Sequence, residues 1–296
     1  MRIFVTGATG FIGRAFCRAA LDRGHRLLAL CRSADTGLPP EIEFAAGTMA
    51  DVPWAQVKQF APDAALHLAW AATPGLYLSS LENEMWLEWS KTWFRGLYEM
   101  GVPHIAGTGT CIEYAASTAL LNETSSCLKP TFPYSRAKAA LFEWLRDAQV
   151  NVSAVWTWFR VFYSYGPGEH PDRIGSSLVR HLRAGESVAL RTPHSVKDYI
   201  FVEDVAFAMC QAIESGLSGP VNVGTGEGIS VEELAGQIAE LLHADTGLLR
   251  HAPELSEDPT PVVIADNRRL RSIGWSPRTS LNEGLQRLID SLKTAT

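Results

Sequence analysis

The sequence predicts an α/β protein built on a doubly wound parallel sheet, with a smaller α/β region toward the C-terminal end. Three observations favour this class. Short apolar runs alternate with longer amphipathic stretches, a glycine-rich turn follows the first apolar run, and the alternation stops after residue 165. The chain has 296 residues, enough for one large domain or two closely packed ones.

Six short apolar runs fit the strands of such a sheet. The candidate strands are Ile3–Thr6, Arg26–Leu30, Ile42–Phe44, Ala64–Ala69, His104–Gly107 and Val152–Phe159. The stretch from Tyr134 to Ala148 has helical periodicity and precedes the last of them. Strands joined by crossover helices pair in parallel, because each helix returns the chain to the edge where the previous strand began.

The pattern changes after the turn Tyr165-Gly166-Pro167-Gly168. A helix around Ile174–Ala184, a short strand near Val188 and another strand at Asp198–Val202 follow without the earlier regularity. The second half of the chain is therefore expected to form a smaller, separate region.

Composition excludes several classes of protein. There are 26 Lys and Arg against 32 Asp and Glu, a net charge of −6, so nucleic acid and anionic membranes are not expected partners. The longest nearly apolar run, Ala64 to Ala72, is much shorter than the roughly 20 residues of a spanning helix. Met1–Val5 enters a strand with no secretory leader pattern, and the five cysteines are not closely paired. We expect a cytoplasmic protein without disulfides or a metal site.

The turn after the first strand has the features of a phosphate-binding loop. Its glycines, Gly7, Gly10 and Gly13, are spaced G-x-x-G-x-x-G between a strand and a helix. This arrangement directs backbone N–H groups and the positive end of the helix toward a pyrophosphate. We therefore expect a bound dinucleotide, held by the segment Thr6, Gly7, Thr9, Gly10, Phe11, Ile12 and Gly13.

The end of the second strand indicates which dinucleotide binds. Enzymes that use NAD usually carry an acidic residue there, which bonds the ribose 2′-hydroxyl. This chain has Arg32 and Ser33 instead, which suit a 2′-phosphate. NADP(H) is thus the predicted cofactor, and the segment Gly47-Thr48-Met49 offers a hydroxyl near the adenine.

A tyrosine and a lysine four residues apart form the candidate catalytic pair. Tyr134 and Lys138 lie on one face of the predicted helix, so their side chains can converge. A nearby ammonium group favours the phenolate and is expected to lower the pKa of Tyr134. Thr110 ends a strand rich in glycine and threonine, 24 residues before Tyr134.

These residues together resemble the extended short-chain dehydrogenase/reductases, the group of nucleotide-sugar epimerases, dehydratases and ketoreductases. The motifs that match run nearly end to end: Thr6–Gly13, Leu66–Ala69, Thr110 with Tyr114, Tyr134 with Lys138, Arg160 with Tyr165-Gly166-Pro167, Asp198–Val205, Asn222–Gly226 and Leu270–Pro277. The resemblance implies a Rossmann fold in which residues 1–165 and 198–223 bind the dinucleotide and residues 166–197 and 224–296 bind the substrate.

The same resemblance implies roles for individual residues. Tyr134 would be the acid/base, Lys138 would bind the nicotinamide ribose and tune Tyr134, and Thr110 would hydrogen-bond the reacting oxygen. The remaining cofactor contacts it implies are Thr48, Met49, Leu68, Ala69, Trp70 and Phe162. The substrate-side candidates are Thr73, Cys111, Glu113, Tyr163, Ser164, Arg173 and Arg191.

The residues after Thr110 separate the possible sugar chemistries. Family dehydratases carry carboxylates where this chain has Cys111 and Ile112, and the acid histidine of the 3,5-epimerase/reductases is replaced, by approximate alignment, by Arg173. Cys111 is better interpreted as a packed small hydrophobe. The favoured prediction is NADPH-dependent reduction of a nucleotide-linked 4-keto-6-deoxysugar. The alternatives are a nucleotide-sugar epimerase, a reductase of another carbonyl compound, and a catalytically silent NADP-binding regulatory protein.

Tryptophans repeat at helical spacing in the stretch before residue 100. Trp86, Trp89 and Trp93 share one stripe, which indicates a buried face. Family dimers pair this helix with the one that carries the catalytic tyrosine, so the resemblance implies a homodimer to which Trp144 contributes.

Overall fold

A seven-stranded parallel sheet forms the centre of the computed structural model, which describes residues 1–33, 36–148, 153–252 and 257–293. Its strands are β1 (Arg2–Thr6), β2 (Arg26–Cys31), β3 (Glu43–Ala46), β4 (Ala64–His67), β5 (His104–Thr110), β6 (Val155–Val161) and β11 (Gly219–Val223). Their spatial order is β11-β6-β5-β4-β1-β2-β3, the doubly wound order that the sequence predicts. The carboxyl ends of β1 and β4, where the chain reverses direction across the sheet, meet at one edge.

Helices cover both faces of this sheet. One face carries α1 (Phe11–Asp22) and α6 (Val202–Ser215), and the other carries α2 (Trp54–Phe60), α3 (Glu82–Glu99) and α4 (Pro133–Ala148). Strand residues alternate between the two cores: Ile3 and Val5 of β1 pack with α1, whereas Phe4 packs on the opposite side with Trp93. The sheet is apolar on both faces because both faces are buried.

The smaller region has a core of its own. The region contains the helices α5 (Ile174–Arg183), α7 (Val231–Leu242) and α9 (Leu281–Ser291) and the strands β7 (Tyr163–Tyr165), β8 (Val188–Leu190), β9 (Val196–Lys197), β10 (Tyr199–Phe201), β12 (Ile229–Ser230), β13 (Leu249–His251) and β14 (Val262–Val263). The short helix α8 (Arg268–Arg271) packs instead beside β11, and its Leu270 is buried in the core under α1 and α6. Leu178, Ile238 and Leu288 are buried between α5, α7 and α9. Ser230 and Ser280 accept hydrogen bonds from backbone N–H groups of α7 and α9, which fixes where these helices begin.

Element boundaries differ from the predicted ones by a few residues. β6 begins at Val155 and continues to Val161, two residues beyond the predicted end, while Val152 lies outside the described residues. β4 ends at His67, because the next residues turn toward the glycine loop. The predicted strand at Asp198–Val202 is β10, and Val202 already begins α6. Across the described ranges, no helix is long and apolar enough to cross a membrane.

Candidate active site at the carboxyl edge of the sheet

The turn between β1 and α1 brings three backbone segments into close contact. Gly7 has φ +72°, and a Cβ atom there would lie 2.6 Å from the amide nitrogen of Ala69. A Cβ atom at Gly13 would lie 2.0 Å from the carbonyl oxygen of Gly7. Only glycine fits at either position, so α1 begins directly beside the ends of β1 and β4. The result is a cradle lined by backbone, open toward the carboxyl edge of the sheet.

A cavity of about 1000 Å³ opens beside this cradle. Its lining includes twelve of the predicted site residues: Thr6, Gly7, Thr9, Gly10, Arg32, Ser33, Thr48, Met49, Leu68, Ala69, Trp70 and Thr73. Phe11, Ile12 and Gly13 form the first turn of α1 beside it. The volume and the side-chain-free cradle fit a nicotinamide dinucleotide, with its pyrophosphate at the start of α1.

Arg14 is a residue of this cavity that the sequence analysis missed. Its guanidinium group donates hydrogen bonds to the carbonyl oxygens of Thr9, Thr36 and Gly37 at 3.0, 2.9 and 2.9 Å. It thereby ties the glycine turn to the segment that follows β2. Arg32 is exposed at the cavity wall, and no carboxylate occurs among the lining residues that the structure describes. The wall beside Arg32 is therefore suited to an anionic group.

The tryptophan stripe of α3 divides between the core and the cavity. Trp93 is fully buried against Phe4 and His67, as expected of a core residue. Trp86 and Trp89 instead line the cofactor cavity, and Trp86 packs against Trp70 with ring centres 6.1 Å apart. Helical spacing alone could not distinguish these two surroundings.

Tyr134 and Lys138 project from the first turns of α4 toward the end of β5. The Nζ atom of Lys138 donates a 2.8 Å hydrogen bond to the carbonyl oxygen of Thr108 and lies 5.9 Å from the centre of the Tyr134 ring. Tyr77 packs edge-on against Tyr134 at 4.8 Å, and the Tyr134 backbone N–H donates to the carbonyl oxygen of Leu78. The loop after β4 thus covers Tyr134, the candidate proton donor.

Burial of Tyr134 under this loop raises the pKa of its phenol, whereas the sequence predicts that the pKa is lowered. Burial, reinforced by Tyr77 and Glu113, raises the pKa of Tyr134 well above its ordinary value, although the charge of Arg173 opposes the change. Burial also lowers the pKa of Lys138 to about 7, because the ammonium ion loses its hydration. The predicted lowering of the Tyr134 pKa by Lys138 is thus wrong for this structure, and Tyr134 is a neutral phenol able to donate a proton.

A buried ion pair between Glu113 and Arg160 fixes the backbone at Thr110. The carboxylate of Glu113 accepts hydrogen bonds from the Thr110 backbone N–H at 2.8 Å and from Nε of Arg160 at 2.7 Å. Glu113 and Arg160 are 0% and 1% exposed. The prediction that Glu113 contacts substrate is therefore corrected: its carboxylate is enclosed in the interior and fixes the backbone at Thr110.

Two other predicted contacts are buried in a small apolar cluster behind the site. Cys111 and Phe162 pack there with Tyr114 and Val263. Burial raises the pKa of the Cys111 thiol to about 12, so the thiol is uncharged at neutral pH. Neither residue lines the cofactor cavity, and the cysteine has the surroundings of a packed hydrophobe, as the sequence favours.

The remaining substrate-side candidates lie in different surroundings. Tyr163 and Ser164 are half-buried on β7, which pairs with β10. Arg173 is half-buried at the N-terminal cap of α5, and its charge partly offsets the rise that burial causes in the pKa values of Tyr77 and Tyr134. Arg191 is exposed just after β8. Arg173 therefore acts on Tyr134 through its charge.

The sheet order, the glycine turn and the Tyr134/Lys138 pair define a dinucleotide-binding enzyme of the extended short-chain dehydrogenase/reductase type. The sequence profile of the NAD dependent epimerase/dehydratase family matches residues 3–224. The chain belongs to that family.

Three proteins illustrate the range of its relatives. The chain is 23% identical to the CDP-abequose synthase of Salmonella typhimurium, over 98% of both chains. It is 28% identical to a trifunctional Arabidopsis thaliana UDP-glucose 4,6-dehydratase/UDP-4-keto-6-deoxy-D-glucose 3,5-epimerase/UDP-4-keto-L-rhamnose-reductase, over 57% of this chain and 26% of that one. The crystal structure of Thermus thermophilus UDP-glucose 4-epimerase with NAD superposes with a TM-score of 0.86 at 25% identity, covering 100% of both chains.

Proposed function

We propose that the protein is an NADPH-dependent reductase of a nucleotide-linked 4-keto-6-deoxysugar, with Tyr134 as proton donor. One observation carries the proposal: Trp70, which lines the cofactor cavity, contacts both Tyr134 and Lys138, and Lys138 donates to the carbonyl oxygen of Thr108, two residues before Thr110 on β5. The neighbouring Cys111 is a protonated thiol, and Glu113 is held by Arg160. Such a site can exchange one proton with an oxygen atom, which is what carbonyl reduction needs.

The names of relatives support this class of reaction. The trifunctional plant enzyme is named for reduction of a UDP-4-keto sugar, and the Salmonella enzyme for synthesis of a CDP-linked sugar. Both act on nucleotide sugars by name, so we propose a substrate of that kind here.

Thr110, Tyr134 and Lys138 have separate roles in the proposed reaction. When bound, the nicotinamide supplies the hydride. The Thr110 hydroxyl orients the carbonyl oxygen, and the Tyr134 phenol gives that oxygen its proton. Lys138 holds the nicotinamide ribose and, as an ammonium ion, stabilises the phenolate that remains on Tyr134. The loop around Tyr77 excludes water from this exchange.

Nucleotide-sugar 4-epimerisation is the second candidate. It is favoured by the likeness to the Thermus UDP-glucose 4-epimerase over the whole of both chains and by the NAD in that structure. The same tyrosine and lysine would serve, with the cofactor retained and restored in each cycle. The two candidates differ in whether reduced cofactor is consumed.

Incubation with NADPH and a panel of nucleotide-4-keto-6-deoxysugars in heavy water tests the proposal. We expect one NADPH to be oxidised per sugar and a single 4-hydroxy product without deuterium at C3 or C5, because Cys111 is a protonated thiol and Glu113 is bound to Arg160, so neither serves as a base for those carbon atoms. A parallel incubation with UDP-glucose and no added NADPH tests the 4-epimerase candidate. Deuterium at C3 or C5, or product without net NADPH oxidation, would overturn the reductase proposal.

Replacement of Arg32 tests the choice of cofactor. We expect the protein to bind NADPH at least about tenfold more tightly than NADH, because charge-assisted bonds to a phosphate contribute roughly 1.5 to 3 kcal/mol each. Arg32→Asp should reduce or invert that ratio, measured by fluorescence titration. Arg95→Asp, exposed on α3, makes the same charge change and should leave the ratio unaltered. Equal affinities of the unaltered protein for both cofactors would refute NADP preference.

The proposal also covers the cellular location, the oligomeric state and the domain division of the enzyme. We propose a cytoplasmic homodimer joined through α3 and α4, where Met85 leaves apolar surface 42% exposed. The division into a dinucleotide-binding domain of residues 1–165 and 198–223 and a substrate-binding domain of residues 166–197 and 224–296 is part of the same proposal.

A further inference from the structure

Trp70 touches both members of the catalytic pair. It follows β4 by three residues, and its ring lies beneath the Lys138 ammonium group, with Nζ 3.9 Å from the ring centre. The edge of the same ring system meets Tyr134, with centres 6.2 Å apart and planes at 80°. The Trp70 ring therefore contacts both the proposed proton donor, Tyr134, and the lysine that assists it, Lys138.

The indole ring is itself fixed by hydrogen bonds. Its N–H donates to Oδ1 of Asn83 at 2.7 Å. The Asn83 amide then donates to the carbonyl oxygens of Tyr77 and Ser80 at 2.7 and 2.8 Å, and Asn83 is only 2% exposed. Trp70 is thus anchored to α3 and to the loop that covers Tyr134, so rotation of the ring away from Lys138 would break a buried network.

Lys138 gains from such a partner because burial removes water from its ammonium group, which is otherwise held by the Thr108 carbonyl oxygen. It is 2% exposed and forms no ion pair within the residues that the structure describes. The charged and titratable groups facing it are few. Glu113, below the end of β5, is paired with Arg160; His67 of β4 is kept neutral by burial; and Tyr134 of its own helix is a neutral phenol. The π face of an indole attracts a desolvated cation strongly.

We infer that Trp70 is a positioning residue of the active site, whose indole face holds the Lys138 ammonium group against the Thr108 carbonyl oxygen and beside Tyr134. The role that this gives to Lys138 rests on the proposed function. The placement of Trp70 against Lys138 does not, and it can be measured without any substrate.

Lysine-selective ¹³C NMR tests the inference, because the chain has only six lysines, at positions 58, 91, 129, 138, 197 and 293. Lys138→Arg assigns the resonance. The ε-methylene protons of Lys138 should be shifted upfield by the ring current of Trp70, and the group should titrate near pH 7. In Trp70→Leu the upfield shift should vanish and the titration midpoint should fall by about one pH unit, since the charged form loses its π partner.

Two further variants make the result decisive. Trp70→Phe keeps an aromatic face and should show a smaller change in midpoint, and it serves if Trp70→Leu fails to fold. Trp156→Leu removes an indole at the amino end of β6 and should leave the Lys138 resonance unchanged. An unaltered or raised midpoint in both Trp70 variants would overturn the inference, whether or not the protein reduces keto sugars.

Where reduction is observed, turnover of Trp70→Leu at pH 8 should fall about tenfold while the KM for sugar changes little.

Discussion

Tyr134→Phe should lower the turnover number by about 10²–10⁴-fold, the contribution of a well-placed general acid, while cofactor affinity stays within about twofold. The change removes one hydroxyl group and retains the ring that packs against Tyr77 and Trp70. The half-buried ring should therefore stay in place. Single-turnover kinetics measures the hydride-transfer step, and titration of NADPH measures binding.

A second site variant and a control variant accompany this measurement. Lys138→Met should weaken both cofactor binding and turnover, because the lysine serves both. Tyr98→Phe, in the last turn of α3 at the opposite edge of the sheet, should match the unaltered protein. If Tyr134→Phe reduced a keto sugar at the unaltered rate, Tyr134 would not be the proton donor.

Glu113→Gln should lower the free energy of unfolding by about 3–5 kcal/mol, the cost of leaving one partner of a buried ion pair without compensation. Arg160 lies in the interior, where its Nε donates to Glu113 at 2.7 Å and its Nη1 to the Tyr114 hydroxyl at 3.2 Å. An amide in place of the carboxylate leaves the guanidinium charge unbalanced. Urea unfolding monitored by circular dichroism measures the loss.

A surface pair provides the comparison. Glu88→Gln breaks the ion pair with Lys91 on α3, where Glu88 is 69% exposed, and should change stability by less than about 1 kcal/mol. Turnover of Glu113→Gln should also fall, because the carboxylate fixes the backbone at Thr110. A stability loss as small as that of Glu88→Gln would show that the buried pair contributes nothing specific.

The sheet and the cofactor cradle could be predicted because their signals are local. Alternating apolar runs and the spacing of Gly7, Gly10 and Gly13 depend only on neighbours along the chain, and the structure confirms the doubly wound sheet. The strand ends were less predictable, as β4 shows, since the residue at which pairing stops depends on the segments that meet there.

The electrostatics of the site could not be predicted from the same signals. The i, i+4 spacing places Tyr134 and Lys138 on one face but does not reveal that the loop around Tyr77 buries the phenol or that Lys138 donates to Thr108. The tryptophan stripe likewise indicates burial without showing that Trp86 faces a cavity. Contacts between residues distant in sequence decide these features.

The position of β11 has a consequence for how the chain folds. This strand pairs with β6, yet 57 residues separate the end of β6 at Val161 from the start of β11 at Gly219, and they include α5, α6 and four short strands. The outer edge of β6 is therefore without its neighbour until the ribosome has made most of the chain. Because such long-range pairing forms only after its loop-closure entropy has been met, the sheet is expected to be completed late and slowly during synthesis.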